Sequence, residues 1–213
     1  MTDEETTPVD PVEAELMSLL DAGQLGDATT LLMESYGPGI LGMLAHTLND
    51  EDEAKDIFSM WCEDVWKGLG GFEGRARVKT WSYRIARNAL ARYKRAPHQR
   101  RGRRLNTEGM PEREAELMRQ RVHETTRRWR RTTTKDAFRG IREQLSDEEN
   151  MLLILHVDRG MSWAEVAEIM DEEVDMADRA AVRQAANRLR QKFHRIKQKL
   201  RRLAEAEGLI TQG

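Results

Sequence analysis

A single cysteine, Cys62, stands in the 213 residues. One thiol excludes an internal disulfide and a cysteine-rich zinc site. Prolines number five, and no stretch alternates Val, Ile or Thr with polar residues. Both absences argue against strands and for an all-α fold. No apolar run approaches the roughly 18 residues that a membrane span requires, so no membrane insertion is expected. The start, MTDEETTPVD, is acidic and polar rather than signal-like, and the expected compartment is a reducing cytoplasm. Catalytic patterns are missing as well: there is no Gly-x-Ser-x-Gly, no Walker A lysine and no supported nucleophilic cysteine. His46, His98, His123, His156 and His194 are dispersed without metal-ligand spacing. The acidic pairs Asp50/Asp52 and Glu172/Glu173 read as solvated faces before they read as metal sites. Neither an enzyme, a cofactor nor a metal is expected.

Charge is plentiful, at 34% of residues, and its net value of −2 conceals its arrangement. Residues 1–74 hold 2 basic and 17 acidic side chains, a balance of −15. Residues 75–142 hold 22 and 6, or +16; residues 143–178 hold 1 and 12, or −11; residues 179–213 hold 10 and 2, or +8. Two separate basic zones are two electrostatic footprints for a polyanion. The acidic zones suit basic protein surfaces.

Residues 78–95, VKTWSYRIARNALARYKR, organise the first half. Trp81, Ile85, Ala89 and Tyr93 recur every fourth residue, the spacing of a core stripe on a helix. Arg84, Asn88, Arg92 and Arg95 form a neighbouring stripe with Arg87 beside it. Guanidinium and amide groups there match phosphates and base edges. The same pattern is equally what a solvated basic face looks like. Upstream, a helix is expected at 12–20. Another starts at Asp27 as cap and breaks at Gly37-Pro38-Gly39. A third follows to about Asn49. An acidic helix at 51–69 then puts Phe58, Trp61, Val65 and Leu69 on one face.

Residues 96–133 are punctuated by Pro97, Gly102, Gly109 and Pro111 and dominated by arginines (Arg100, Arg101, Arg103, Arg104, Arg127, Arg128, Arg130, Arg131). They read as a mobile basic linker, helical only transiently at 112–131. Beyond it, Phe138, Ile141 and Leu145 share a face. Ser146 with Glu149, and Ser162 with Glu165, are capping boxes. The long helix from about Asp178 to Ala206 carries Val182, Ala186, Leu189, Phe193, Ile196, Leu200 and Leu203 as its core stripe. Two short helices and a long basic third spell helix-turn-helix. In that motif the first turns of the recognition helix meet bases. Arg195, Lys197, Lys199, Arg201 and Arg202 lie beyond base reach and are expected to touch phosphate or nothing.

Several of these segments resemble the extracytoplasmic-function type of bacterial RNA polymerase sigma factor, within the sigma-70 family. The likeness rests on Ala54-Lys55-Asp56 after an acidic run, Gly71-Phe72-Glu73-Gly74, Thr80-Trp81 and Tyr83-Arg84-Ile85-Ala86-Arg87-Asn88. It continues in Met161-Ser162-Trp163-Ala164-Glu165-Val166-Ala167-Glu168-Ile169 and in Val182-Arg183 followed by Asn187-Arg188-Leu189-Arg190. Departures are Lys55 for an acid, Ser59-Met60 for Gln-Glu, Ser82 for Leu, Ala185 for Arg, and a long acidic turn before the recognition helix.

The resemblance implies two small helical domains joined by a flexible basic linker. An acidic extension covers 1–24, region 2 covers 25–95, the linker 96–133, region 4 covers 134–207 and a tail 208–213. By the same resemblance, Asp52, Glu53 and Asp56 dock core RNA polymerase. Phe72, Gly74, Arg75, Arg84, Arg87, Asn88 and Arg92 recognise the −10 element, including the melted non-template strand. Ser162, Arg179, Arg183, Gln184, Asn187 and Arg188 read the −35 element in double-stranded promoter DNA. An anti-sigma factor is a further candidate partner. The alternatives are a helix-turn-helix regulator that is no polymerase subunit, an RNA-binding protein using the arginine-rich linker, and a protein-interaction module.

Overall fold

The computed structural model describes residues 10–95, 110, 112–132, 140 and 143–207, and every regular element among them is helical. The expectations for residues 1–9, for Arg100 to Arg104, for Phe138 and Ile141, and for the 208–213 tail lie outside these residues.

Helix α1 (Pro11–Asp21) begins with proline, whose missing N–H costs nothing in a first turn, and Asp10 caps it by accepting from the Val12 amide at 3.1 Å. Helix α2 (Leu25–Leu48) differs from expectation. It starts at Leu25, with Gln24 as cap residue and Asp27 inside the first turn, and it continues through Pro38. An interior proline costs about 3 kcal/mol. Against this, Tyr36, Ile40, Leu41, Met43 and Leu44 are all buried along α2. Each such side chain contributes about 1.5–3 kcal/mol, so burial wins. The flanking glycines serve close approach: a Cβ on Gly37 would sit 3.4 Å from the Phe58 ring, and one on Gly39 would meet the Tyr83 hydroxyl at 2.4 Å.

Helix α3 (Glu51–Gly68) is capped by Asp50, which accepts from the amides of Asp52 and Glu53 at 2.9 and 3.0 Å. Its expected face forms: Phe58, Trp61 and Val65 are buried, as is Leu69 in the short 3-10 turn Leu69–Gly71. Phe58 stacks on Trp61 at 5.0 Å, and the Trp61 indole N–H donates to the Ser82 carbonyl at 3.0 Å. That bond ties α3 to α4 (Val78–Arg95). On α4, Ala89 and Tyr93 are buried as expected, whereas Trp81 and Ile85 are only partly covered. The buried side runs instead through Ser82, Tyr83, Ala86, Ala89, Leu90 and Tyr93. Contacts on several sides turn the helix, because α4 touches α2, α3 and the helix-turn-helix.

A regular helix, α5 (Glu112–Thr132), occupies the expected linker. It packs on α2 and α3, and Ala115 and Met118 are buried. These two apolar residues, with half-buried Val122, recur at helical spacing that the surrounding arginines mask in the sequence.

Helix α6 (Asp147–Leu153) runs into a π-helical turn, Ile154–Asp158, that stops before Gly160 at φ +62°. Helix α7 (Trp163–Met170) and helix α8 (Arg179–Ala206) follow. Both capping boxes form with all their bonds. Ala167, Val174, Val182, Ala185 and Ala186 make a small core inside the helix-turn-helix. A larger buried cluster runs from Leu16 through α2, α3 and α4 to Leu155, Ile169 and Ile196. The segments before and after α5 therefore share one core.

Candidate nucleic-acid interface

The loop before α4 carries Phe72, Gly74 and Arg75. Gly74 takes φ +69°, a conformation that other L-residues rarely adopt, and turns the chain into α4. Phe72 sits half-buried, edge-on to Trp81 at 5.4 Å, while Arg75 is exposed and pairs with Glu73 at 3.0 Å. Glu13 of α1 closes the N-terminus of α4. Its carboxylate accepts from the amides of Val78 and, at 3.3 Å, Lys79, where the helix dipole favours a negative charge. The Tyr36 hydroxyl donates to the same carboxylate at 3.4 Å; burial and the Glu13 charge push its pKa up.

Along α4, Arg84, Arg87, Asn88 and Arg92 do form one face, and that face has protein partners. Arg84 donates to the carbonyls of Glu172 at 2.8 Å and Val174 at 3.4 Å. Arg87 pairs with the Glu172 carboxylate and donates to Asn88 Oδ1 at 3.4 Å. Arg92 pairs with Asp64 of α3. Nothing in the local spacing of 78–95 announces these partners. The one available signal is the unusual acidic turn, Asp171 to Asp178. Below it, α7 presses Glu168 towards α4; burial and Glu165 raise the Glu168 pKa against the pull of Arg84, Arg179 and Arg77. Arg77 itself lies 3.9 Å from Glu165.

On α8, Arg179, Arg183, Gln184, Asn187 and Arg188 are exposed. Arg188 pairs with Asp171 at 2.8 Å, and Asn187 accepts from Arg190 at 2.8 Å. Arg190 also lies over the Trp163 ring at 5.9 Å. Ser162 is the α7 cap: its hydroxyl oxygen accepts from the Glu165 amide at 3.3 Å, which leaves its O–H to donate outward. Further along α8, Lys199 is bonded to Glu149 at 2.9 Å and Arg201 to Glu205 at 2.9 Å, so protein carboxylates meet these cations.

The acidic candidates Asp52, Glu53 and Asp56 occupy the first two turns of α3. Asp52 is almost fully exposed and pairs with Lys55 at 2.7 Å. Glu53 and Asp56 are half-covered. Cys62, on the opposite side of α3, is buried, and burial raises its thiol pKa well above the usual value. A thiol held neutral and enclosed is no nucleophile.

A helix-turn-helix and a second arginine-faced helix on an all-α frame suit a DNA-binding protein of the transcription class. Residues 32–101 match the family model described as Sigma-70 region 2. The chain is also 27% identical over 159 residues to the RNA polymerase sigma-H factor of Pseudomonas aeruginosa, covering 71% of this chain and 80% of that protein. The chain is therefore similar to sigma factors of the sigma-70 family, most directly over residues 32–101. The matched residues span most of α2, all of α3 and all of α4, and so include both the acidic first turns of α3 and the arginine stripe.

Proposed function

We propose that this protein is a sigma factor of the extracytoplasmic-function type, which binds core RNA polymerase and directs promoter-specific initiation. The observation that carries the proposal is the position of the region 2 match, over the acidic first turns of α3 and the arginine face of α4. In this reading, residues 25–95 form region 2 and residues 134–207 form region 4, with 96–133 connecting them. Asp52, Glu53 and Asp56 dock the polymerase. The Phe72 to Arg75 loop and the α4 face handle the −10 element. There a base extruded from the non-template strand is read in a pocket, at a cost of a few kcal/mol that contacts must offset. Arg183, Gln184 and Asn187 lie in the first turns of α8, where a groove-inserted helix meets base edges. Arg179 and Arg188 flank them, and the Ser162 hydroxyl is placed to donate to a phosphate. Cytoplasmic residence accords with this role; among the described residues no helix is long and apolar enough to cross a membrane. An anti-sigma factor is a proposed further partner.

Multi-round transcription with purified core polymerase and a library of promoters tests this reading. The expected result is initiation only when the chain is added, at a defined subset of promoters. Promoter binding without any association with core polymerase would instead make it a helix-turn-helix regulator.

A further inference from the structure

The turn between α7 and α8 runs Asp171-Glu172-Glu173-Val174-Asp175-Met176-Ala177-Asp178, five acids and no base. Val174 is buried with Ala167, Val182, Ala185 and Ala186 in the core of the helix-turn-helix. That anchor fixes the turn beside α4. Two backbone carbonyls, of Glu172 and Val174, accept from Arg84, and the Glu172 carboxylate pairs with Arg87. Arg87 in turn donates to Asn88. At the other end of the same turn, Asp171 pairs with Arg188 of α8. One acidic segment therefore occupies cations on both helices read above as DNA contacts. These carbonyl and carboxylate oxygens take the place of the phosphate oxygens that a nucleic-acid backbone would supply to the same guanidinium groups.

We propose that the 171–178 turn is an internal polyanion mimic that masks the α4 arginine face in the free protein and must leave it before that face takes DNA. The inference rests on the reading of α4 as a nucleic-acid surface. Opening costs the free chain the contacts just described, so the apparent affinity for DNA is reduced by the fraction of molecules that are open. Anything that favours the open state raises that affinity without adding a contact.

The test uses the full-length chain and a short fluorescent single-stranded DNA. Glu172→Arg repels Arg87 and opens the turn. Glu173→Arg makes the same charge change at an exposed neighbour that has no hydrogen bond or ion pair to α4 among the described residues, and serves as the control. Glu172→Gln removes the carboxylate alone and keeps the backbone bonds. Expected is an affinity for Glu172→Arg about three- to tenfold above that of Glu173→Arg, with Glu172→Gln between them. Equal affinities for the two arginine variants would overturn the masking. The α4 reading is judged separately by adding Arg92→Ala, whose partner is Asp64 rather than the turn. Weaker binding upholds α4 as the DNA surface whatever the turn does. Unchanged binding in both the parent and the Glu172→Arg background removes that reading and the masking with it.

Discussion

Ser82 sits on the buried side of α4, and its hydroxyl meets no hydrogen-bond partner among the described residues. A desolvated hydroxyl without a partner costs about 1–3 kcal/mol. Its backbone carbonyl is used by Trp61, but that bond does not depend on the side chain. Ser82→Ala is therefore expected to stabilise the protein by about 1 kcal/mol, seen as a higher Tm. An unchanged or lower Tm would mean that the hydroxyl is satisfied in solution. Glycines give the opposite kind of case. At Gly39 an added Cβ meets the oxygen of Tyr83, which is itself buried, so Gly39→Ala must push α2 and α4 apart. The expected loss is about 1–3 kcal/mol. Gly71, which has open space around its missing Cβ, is expected to accept alanine without such a loss in the same denaturation experiment.

At the scale of elements, the two capping boxes do different work. Glu149 reaches back to the Ser146 amide at 2.8 Å and also holds Lys199 of α8 at 2.9 Å. Burial pushes its pKa up, but the amide and the ammonium outweigh it and leave the carboxyl below its ordinary value of 4.5. A carboxylate with a lowered folded pKa stabilises fully above its unfolded pKa and loses that contribution as pH falls through the folded one. The Tm difference between the parent and Glu149→Gln is thus expected to be constant near neutral pH and to shrink below about pH 4.5. A difference that persists undiminished at pH 3 would refute the charge argument.

Ser162 carries a double assignment, as cap and as DNA contact. Ser162→Ala is expected to cost about 1 kcal/mol of stability through the lost cap. Ser162→Asp keeps a capping oxygen and places a favourable negative charge at the helix start. It should retain the parental Tm while weakening binding to duplex DNA. Full DNA affinity in Ser162→Asp would leave the residue as a cap alone.

For the whole molecule, a few polar contacts link the segments before and after α5. Lys94 pairs with Asp147, Arg159 donates to the Gly39 carbonyl at 3.0 Å, and Asn49 donates to Glu143 at 2.9 Å. Exposed pairs of this kind contribute about 0–1 kcal/mol each, so the shared apolar cluster, not the pairs, holds the halves together. On the DNA side, Arg183 is exposed near the start of α8, whereas Lys199 is tied to Glu149. Arg183→Ala is expected to cost about 1–3 kcal/mol on the preferred upstream duplex and to flatten discrimination among mutated duplexes. Lys199→Ala is expected to lower Tm and leave the salt dependence of binding unchanged. Titrations of a duplex set at two salt concentrations check both. If Arg183→Ala weakens matched and mismatched duplexes alike, Arg183 touches phosphate and α8 lies in another register.

Local chemistry was enough to read the capping boxes at Ser146 and Ser162, the apolar face of α3, the core stripe of α8 and the family likeness. Each depends on residues within a few turns of one another, where helix periodicity and cap stereochemistry act without help from the rest of the chain. Tertiary contacts decided the others. Helix α2 passes through Pro38 because burial along its whole length outweighs one broken turn, and Gly37 and Gly39 are spaced for neighbours that sequence proximity does not reveal. The buried side of α4 moved by about one residue because helices pack on it from several directions. Arg84 and Arg87 could be read as cations in a row. That they lie against Glu172 and Val174, nearly ninety positions away, follows only from the packing of α7 on α4, since long-range pairing of charges has no periodicity to read.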